Sequence, residues 1–424
     1  RFQFGLHGAA GIGGQVMGKT LGRGMGAVGG GKGVVDINIA VGGKRVLVRV
    51  DLNVPVKDGT VTDTTRIERV APTILELSDK GAKVILLAHF GRPKDGPSPD
   101  LSLSLIAPSV EEVLDHAVAT ASDCIGEAAA SVQAKTREIL TAAVREADSE
   151  TAADLAVRAL LFEAAATPKP GLVDRANAGS HTDMDIFTFL SSAEALRPYF
   201  KACTLAGMDT QDLPAPETFR KLQVLGRRAE GAMYEATGGV NTHKGAVFSL
   251  GILCGALGRL PRAVWSEPET VLAECAKETA GLTETYFPNL TKENARTAGE
   301  ILYVRHGIRG VRGQAEDGFP AVLRYGLPML EEGLAGGLSL NDAGCAALLH
   351  MMVHETDTNM IKRSDLATYD RVINEVRRIL EKNRFPGPEM LAALDERFIA
   401  MNLSPGGTAD LLAMTYFLHF LKNA

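Results

Sequence analysis

From about residue 134 to the C-terminus, the sequence is a succession of long helix-favouring stretches separated by short runs of Gly, Pro and Asn. The stretch from Ala134 to Ala166 is rich in alanine, the best helix former. Leu411 to Leu421 is apolar and has helical spacing. Because strand-like alternation is nearly absent here, we predict an all-α domain over residues 134–424 and a chain that is mainly α.

The preceding residues, 44–133, have the alternating pattern of an α/β segment. Runs rich in β-branched residues predict strands, and apolar residues three and four apart predict helices. The predicted order is a strand at 45–50, a helix at 65–80, a strand at 83–89, a helix at 103–114 and a strand at 117–121. This order favours a right-handed βαβαβ unit, so we predict a partial, Rossmann-like α/β segment.

Residues 1–43 are dominated by glycine and contain a single acidic residue, Asp36. The glycines at 8–14 are compatible with a phosphate-binding turn, because glycine lets backbone N–H groups approach an anion. However, no convincing strand is predicted before residues 8–14, and the third glycine of a G-x-G-x-x-G motif is missing. Low complexity of this kind favours a flexible tail or linker, which is the prediction for residues 1–43.

Composition limits the classes of protein to which the chain can belong. With 424 residues, two or three domains are expected. The formal net charge of −6 gives no basic excess for nucleic acid or an anionic membrane, and the longest apolar run, at 245–258, is too short to span a bilayer. Five scattered cysteines suggest neither a disulfide framework nor a zinc site. We therefore predict a cytoplasmic protein without nucleic-acid or membrane partners.

Four glycine-containing polar clusters lie between the apolar helices, where helix ends and loops can assemble a site. Their cations, acids and hydroxyls are the groups that bind a polyphosphate. For the first cluster, a solvated charged loop is an equal alternative on composition alone. Clusters one to four cover residues 163–185, 238–246, 310–320 and 402–410, and a further polar stretch at 354–363 is predicted on a helix.

Cluster two leads directly into an apolar helix. Asn241 or Thr242 is a natural N-cap, which places Lys244 in the first turn. A cation there opposes the helix dipole unless an anion is bound, so this local conflict points to phosphate binding. The alternative is a simple exposed cap, with His243 folded onto its own backbone.

The last two clusters are predicted as a turn and a helix start. Cluster three is a glycine-rich turn that carries Arg312 and several acids. In cluster four, Asp410 is predicted at a helix start, where a carboxylate can cap the helix, ligate a metal ion or do both.

Together the clusters resemble the triphosphoribosyl-dephospho-CoA synthase family over residues 154–424. The matching motifs are Thr167-Pro-Lys-Pro-Gly-Leu-Val-Asp-Arg175, Gly239-Val-Asn-Thr-His-Lys-Gly245, Asp357-Thr-Asn359 and Asn402-Leu-Ser-Pro-Gly-Gly407. Gln314 departs from the family, since a glutamate is expected there, and Ser364-Asp365 replaces an expected glycine pair. The resemblance implies a transferase that uses ATP and 3′-dephospho-CoA.

The reaction implied by this resemblance replaces adenine at C1′ of the ATP ribose by the 2′-hydroxyl of 3′-dephospho-CoA. It needs a base, an acid for the leaving adenine, carboxylates near an oxocarbenium-like centre and cations along the triphosphate. The candidate catalytic residues are Glu163, Asp174, His181, His243 and Glu316. The candidate substrate and phosphate ligands are Lys169, Arg175, Asn241, Thr242, Lys244, Arg312, Asn359 and Ser404.

Mg²⁺, bound with ATP as substrate, is the implied cofactor, because hard carboxylate oxygens favour it over softer metals. Its candidate ligands are Asp174, Asp183, Asp357 and Asp410. The implied product is the precursor of a prosthetic group on the acyl carrier protein of citrate lyase or malonate decarboxylase. That carrier and a downstream holo-acyl-carrier-protein synthase are therefore indirect partners.

Residues 44–132 resemble the start of phosphoglycerate kinase, through Arg49-Val-Asp-Leu-Asn-Val-Pro55 and His89-Phe-Gly-Arg-Pro93. The family's 3-phosphoglycerate site maps onto Asp51, Asn53, Arg66, His89 and Arg92, whose cations suit carboxylate and phosphate oxygens. The resemblance stops before the nucleotide-binding half of that family. The alternatives to the transferase are therefore an inactive fusion or binding protein and residual phosphoglycerate-kinase-like binding of 3-phosphoglycerate.

Overall fold

The computed structural model describes residues 2–6, 44–57, 59–88, 90–91, 101–120 and 127–423. The chain divides into two compact units, Arg1–Val144 and Arg145–Ala424. It is mainly α, as the sequence predicts. The glycine-rich turn considered at 8–14 lies outside the described residues.

The first unit contains a sheet of four parallel strands in the order β2–β5–β1–β6. A separate antiparallel pair is formed by β3 and β4. The strands are β1 (Phe2–Leu6), β2 (Arg45–Arg49), β3 (Val56–Lys57), β4 (Thr60–Val61), β5 (Lys83–Ala88) and β6 (Val118–Thr120).

Strand β1 corrects the prediction that all of residues 1–43 form a tail. It pairs with β5 through Gln3 opposite Ile85 and with β6 through Phe2 opposite Val118. The predicted second and third strands are therefore not neighbours in the sheet. A five-residue strand has little periodicity of its own, and its partners lie far along the chain.

The helices of the first unit pack their apolar side chains against the sheet. Helix α1 (Thr65–Asp79) buries Ile67, Ala71, Ile74 and Leu77, which share one helical face. These residues belong to a core with Val84 and Leu86 of β5. The predicted helix at 103–114 is a 3₁₀ turn, Leu103–Leu105, followed by α2 (Ala107–Leu114), which has a proline in its first turn.

Helices form almost the whole of the second unit. They are α3 (Glu127–Ala165), α4 (Ile186–Ala195), α5 (Arg197–Asp209), α6 (Ala215–Ala236), α7 (Lys244–Arg259), α8 (Pro268–Glu278), α9 (Leu282–Tyr286), α10 (Ala298–His306), α11 (Gly310–Glu316), α12 (Leu327–Ala335), α13 (Leu340–His354), α14 (Thr358–Arg363), α15 (Leu366–Lys382), α16 (Pro388–Ala400) and α17 (Gly406–Lys422). None of the helices in the described ranges is long and apolar enough to cross a bilayer.

Helices α7 and α17 are the most deeply buried elements of the second unit. Helix α5 packs closely on α7 through glycines, since a Cβ on Gly207 would lie 2.0 Å from the carbonyl oxygen of Gly255. A Cβ on Gly258 would lie 2.0 Å from the carbonyl oxygen of Thr204. This close packing fixes α7, whose N-terminal end carries cluster two.

Candidate functional site

A cavity of about 330 Å³ lies beside the N-terminal end of α17. Its walls come from the start of α11, from the loop between α13 and α14 and from the first turns of α17. The volume is within the range typical of small-molecule sites. The lining residues are Gly307, Ile308, Arg309, Gly310, Val311, Gly313, Gln314, Asp317, Glu355, Thr356, Asp357, Thr358, Gly407, Thr408 and Leu411.

Glu355 is one of three acids on the wall of this cavity, with Asp317 and Asp357. It follows the last residue of α13 and is half-buried, and Gln314 Nε2 donates a hydrogen bond to its carboxylate. Burial raises the pKa of Glu355 to about 7, although the bond from Gln314 acts in the opposite direction. The carboxyl therefore titrates near neutral pH. The sequence analysis missed Glu355, and its position beside Asp357 in a loop between two helices is the signal that identifies it.

Asp357 is the N-cap of α14 and is buried. Its Oδ1 accepts hydrogen bonds from the backbone N–H groups of Asn359 (2.9 Å) and Met360 (3.2 Å). Its Oδ2 accepts from the backbone N–H (2.8 Å) and the hydroxyl (2.9 Å) of Thr408. Oδ1 therefore caps α14, and Oδ2 joins α14 to α17. Asn359 is exposed, against the start of α17 at Gly406.

Asp174 has a similar structural role in cluster one. It is buried, and its carboxylate accepts from Thr167 Oγ1 (2.6 Å) and Lys169 N (3.0 Å) through one oxygen. The other oxygen accepts from Ala176 N (2.7 Å) and Asn177 N (3.1 Å). These four donors close the loop after α3. Both carboxylate oxygens of Asp174 therefore accept hydrogen bonds within this loop.

Lys169 is also occupied within the protein. It is almost completely buried, and its Nζ donates to the carbonyl oxygen of Glu163 at 2.6 Å and forms an ion pair with the Glu163 carboxylate. Burial raises the pKa of Glu163, an effect that Lys169 opposes. Removing either partner would leave an unpaired buried charge. The ion pair therefore holds cluster one against α3, and the Lys169 ammonium is not exposed to a phosphate in solvent.

Cluster one meets cluster four through His181. His181 Nε2 lies 3.0 Å from the hydroxyl of buried Ser404, and Arg363 Nη2 lies 3.1 Å from His181 Nδ1. Arg363 also donates to Asn402 Oδ1 at 2.9 Å. Burial and the charge of Arg363 lower the pKa of His181. The sequence analysis assigned no role to Arg363, which joins the end of α14 to both clusters.

Cluster two differs from its prediction at the helix start. The N-cap of α7 is His243, without a side-chain cap bond, so neither Asn241 nor Thr242 caps the helix. Lys244 forms an ion pair with Glu230 at 2.8 Å, which raises the pKa of Lys244. Glu230 on α6 therefore neutralises the charge of Lys244, which would otherwise oppose the helix dipole. The presence of Lys244 in the first turn is explained without an anionic ligand. Asn241 is exposed.

Asp410 faces the same helix start. It is the fifth residue of α17 rather than its cap, and a Cβ on Gly245 would lie 1.8 Å from its Oδ2. The Ala246 backbone N–H donates to it. Burial, together with the nearby carboxylates of Glu163 and Asp357, raises the pKa of Asp410 well above its usual range. Cluster four thus reaches clusters one and two and the cavity.

Cluster three is helical where a turn was predicted, because residues 310–316 form α11. Arg312 stacks on the ring of Tyr286 at 3.8 Å and does not line the cavity. Glu316 accepts hydrogen bonds from the hydroxyl and the backbone N–H of Thr283. Arg309, which the sequence analysis did not single out, is the arginine on the cavity wall.

Of the predicted metal ligands, Asp357 and Asp410 are close enough to interact electrostatically. Asp183 is exposed and lies 3.9 Å from His181, whereas Asp174 and Asp357 are saturated by protein donors. Across the described ranges, no three His, Cys, Asp or Glu residues are arranged to hold a metal ion. Arg175 is exposed and donates to Asn341 Oδ1 at 3.0 Å.

The first unit keeps part of the predicted 3-phosphoglycerate constellation. Asp51 forms a 2.6 Å ion pair with Arg66, and both side chains are exposed. Asn53 Oδ1 accepts from the backbone N–H of Gly91 at 3.2 Å. His89 and Arg92 lie outside the described residues.

Comparisons with known proteins separate the chain into two parts. Residues 35–167 match the phosphoglycerate kinase family model. A phosphoglycerate kinase from Rhizobium leguminosarum is 94% identical over 92 residues, which cover 22% of this chain and 23% of the kinase. The chain thus spans about a quarter of that relative.

Residues 149–424 match the family model for ATP:dephospho-CoA triphosphoribosyl transferase. A probable 2-(5″-triphosphoribosyl)-3′-dephosphocoenzyme-A synthase from Albidiferax ferrireducens is 42% identical over 268 residues, covering 62% of this chain and 88% of the relative. The 2-(5″-triphosphoribosyl)-3′-dephosphocoenzyme-A synthase from Pectobacterium atrosepticum is 41% identical over 265 residues, covering 62% and 86%. This chain belongs to the ATP:dephospho-CoA triphosphoribosyl transferase family.

Proposed function

We propose that the helical unit transfers the triphosphoribosyl group of ATP to 3′-dephospho-CoA. The 2′-oxygen of dephospho-CoA forms a bond to C1′ of the ATP ribose, and the C1′–N9 bond breaks with its electrons leaving on adenine. The hydroxyl proton passes to a base, and adenine takes up a proton from an acid. The triphosphate is unchanged.

The position and ionisation of Glu355 are the observation that supports this chemistry best. Glu355 lies in a cavity large enough for a small ligand and has a pKa of about 7. A base with a pKa near the working pH combines adequate ionisation with adequate proton affinity. Glu355 is therefore the base that accepts the proton of the 2′-hydroxyl.

A second carboxyl with a different proton affinity supplies the acid. Burial and the neighbouring carboxylates of Glu163 and Asp357 raise the pKa of Asp410 well above its usual range, which favours its protonated form. Thr408 and Leu411, on either side of Asp410 in α17, line the cavity. Two carboxyls with different protonation states are the usual pair for glycosyl transfer. Asp410 is the donor for the leaving adenine.

The nucleotide brings its own cation in this proposal. Mg²⁺ enters with ATP as part of the substrate, and Arg309 on the cavity wall, which forms ion pairs with Asp317 and Glu316, is the cation proposed to contact the triphosphate. The product serves the prosthetic group of an acyl carrier protein of citrate lyase or malonate decarboxylase. A holo-acyl-carrier-protein synthase then acts on it. The four cysteines in the described part of the chain are buried and free, which suits a reducing cytoplasm.

The test is to incubate the full chain with ATP, Mg²⁺ and 3′-dephospho-CoA and to follow adenine by chromatography. The wild type should release adenine only when dephospho-CoA is present. Glu355→Gln should lower kcat about 10²- to 10⁴-fold, the usual contribution of a general base. Glu331→Gln, at an acid that pairs with Lys422 rather than lining the cavity, is the matched control. Equal rates for both variants would contradict the role of Glu355.

A further inference from the structure

The ring of His243 is held firmly inside the second unit. The residue is buried, and the ring packs edge-on against Phe189 with 4.9 Å between centroids. Its Nδ1 lies 2.8 Å from Ser192 Oγ on α4. Its Nε2 is buried and, within the described ranges, has no hydrogen-bond partner. Nδ1 is thus held by Ser192, whereas Nε2 is available to a partner from outside the described residues.

The direction of the hydrogen bonds decides which nitrogen carries the proton. Thr242 Oγ1 donates to Ser192 Oγ at 2.7 Å. Ser192 accepts from Thr242 and has its own proton available for His243 Nδ1. A neutral imidazole that accepts at Nδ1 carries its hydrogen on Nε2. The ring is neutral because burial, assisted by the charge of Lys169, lowers the pKa of His243 to about 3.

We propose that Ser192 and Thr242 are positioning residues that hold His243 as its Nε2–H tautomer, a neutral hydrogen-bond donor to an acceptor atom of the nucleotide. The role toward the nucleotide rests on the proposed function, but the tautomer does not. A buried donor without a protein acceptor is costly, so an acceptor on a ligand is favoured there. The start of α7 and the ammonium of Lys169 add positive potential, which suits an electron-rich acceptor.

The tautomer is measured directly by long-range ¹H–¹⁵N spectra of the full chain labelled at the histidine imidazoles. His243→Gln identifies the His243 signals among the nine histidines by their loss. At neutral pH the wild type should have an unprotonated Nδ1 and a protonated Nε2, and ATP with Mg²⁺ should shift the Nε2–H signal. A proton on Nδ1 would overturn the tautomer assignment, and an Nε2–H signal that ATP leaves unchanged would overturn the role toward the nucleotide.

Thr242 supplies a matched pair of variants at a half-buried position. Thr242→Val keeps the shape and removes the hydroxyl, so the bias toward the Nε2–H form should be lost. Thr242→Ser keeps the hydroxyl and should restore the wild-type pattern. If Thr242→Val and the wild type give the same pattern, Thr242 has no positioning role.

Kinetics then connect the tautomer to catalysis. Ser192→Ala should lower kcat for adenine release about tenfold, below the ~10²- to 10⁴-fold of a full acid or base. The KM for ATP should change little. A lower kcat without a change of tautomer would contradict the positioning role. If no variant or wild type releases adenine, the proposed function fails, while the spectra still decide the tautomer.

Discussion

Carboxyl groups recur inside the second unit, and their partners decide what each can do. Glu163 is paired with Lys169, and Asp357 is engaged by four N–H and O–H donors. Glu355 has the cavity beside it and a single side-chain donor, Gln314. Raised pKa values are common to all three, so geometry rather than titration distinguishes the functional acid from the structural ones.

Two substitutions around Glu355 should move the pH dependence in opposite directions. As a base, Glu355 must be ionised, so kcat/KM should rise with pH through about 7 in the wild type. Gln314→Glu places a second carboxyl against the first, which raises the apparent pKa and moves the rise to higher pH. Asp317→Asn removes a charge that raises the pKa of Glu355, so the rise should move to lower pH. Unmoved profiles in both variants would rule out Glu355 as the titrating group.

Glu278 provides a prediction about stability. It is buried on α8, and its two carboxyl oxygens have no hydrogen-bond partner in the described part of the chain. Burial raises its pKa well above the usual 4.5, so the folded chain retains the proton that the unfolded chain releases. Its contribution is favourable below about pH 4.5 and is lost as the pH rises toward the folded pKa.

Glu278→Gln should therefore be more stable than the wild type at pH 8, by about 1–3 kcal/mol, and nearly equal to it at pH 4. Denaturant unfolding at both pH values measures the difference. Glu274→Gln is the contrasting variant, because it breaks the buried ion pair with Arg259 and should destabilise the fold at neutral pH. A pH-independent difference between Glu278→Gln and the wild type would show that Glu278 is ionised in the fold.

Among the elements, the pair α5 and α7 is the most closely packed in the second unit. Gly207→Ala would push a methyl group into the Gly255 carbonyl, so the helices must separate. We expect a loss of about 1–3 kcal/mol in the free energy of unfolding. Gly231→Ala, on α6 with open space around it, should gain about 0.5–1 kcal/mol. Thermal melts of both variants test this, and a neutral Gly207→Ala would show that the helices are not in such close contact.

The sequence predicts elements well where their signal is local. The helix predicted at 134–166 overlaps α3 except at Ala166, and the helix predicted at 411–421 lies within α17, because apolar periodicity is a property of neighbouring residues. Strand β1 and the helical form of cluster three were missed, because both depend on contacts with distant segments. The partners of the site residues were missed for the same reason: Lys169 meets Glu163 and Lys244 meets Glu230 only in the folded chain.

The chain joins two segments that are related to different protein families. The part related to phosphoglycerate kinase spans about a quarter of its relative, whereas the transferase part spans most of the length of its relatives. Among the described residues, the cavity and the clusters around α17 lie in the second unit. The predicted activity therefore belongs to residues 145–424, and phosphoryl transfer to 3-phosphoglycerate is not expected.

The most direct test is the molar balance of adenine and ADP formed by the full chain with ATP and Mg²⁺. With 3′-dephospho-CoA, one adenine should appear for each dephospho-CoA consumed, and the product should retain all three phosphates by mass. With 3-phosphoglycerate, no ADP should form. The absence of adenine from a folded chain that binds ATP, or the formation of ADP in its place, would contradict the assignment of a triphosphoribosyl transferase.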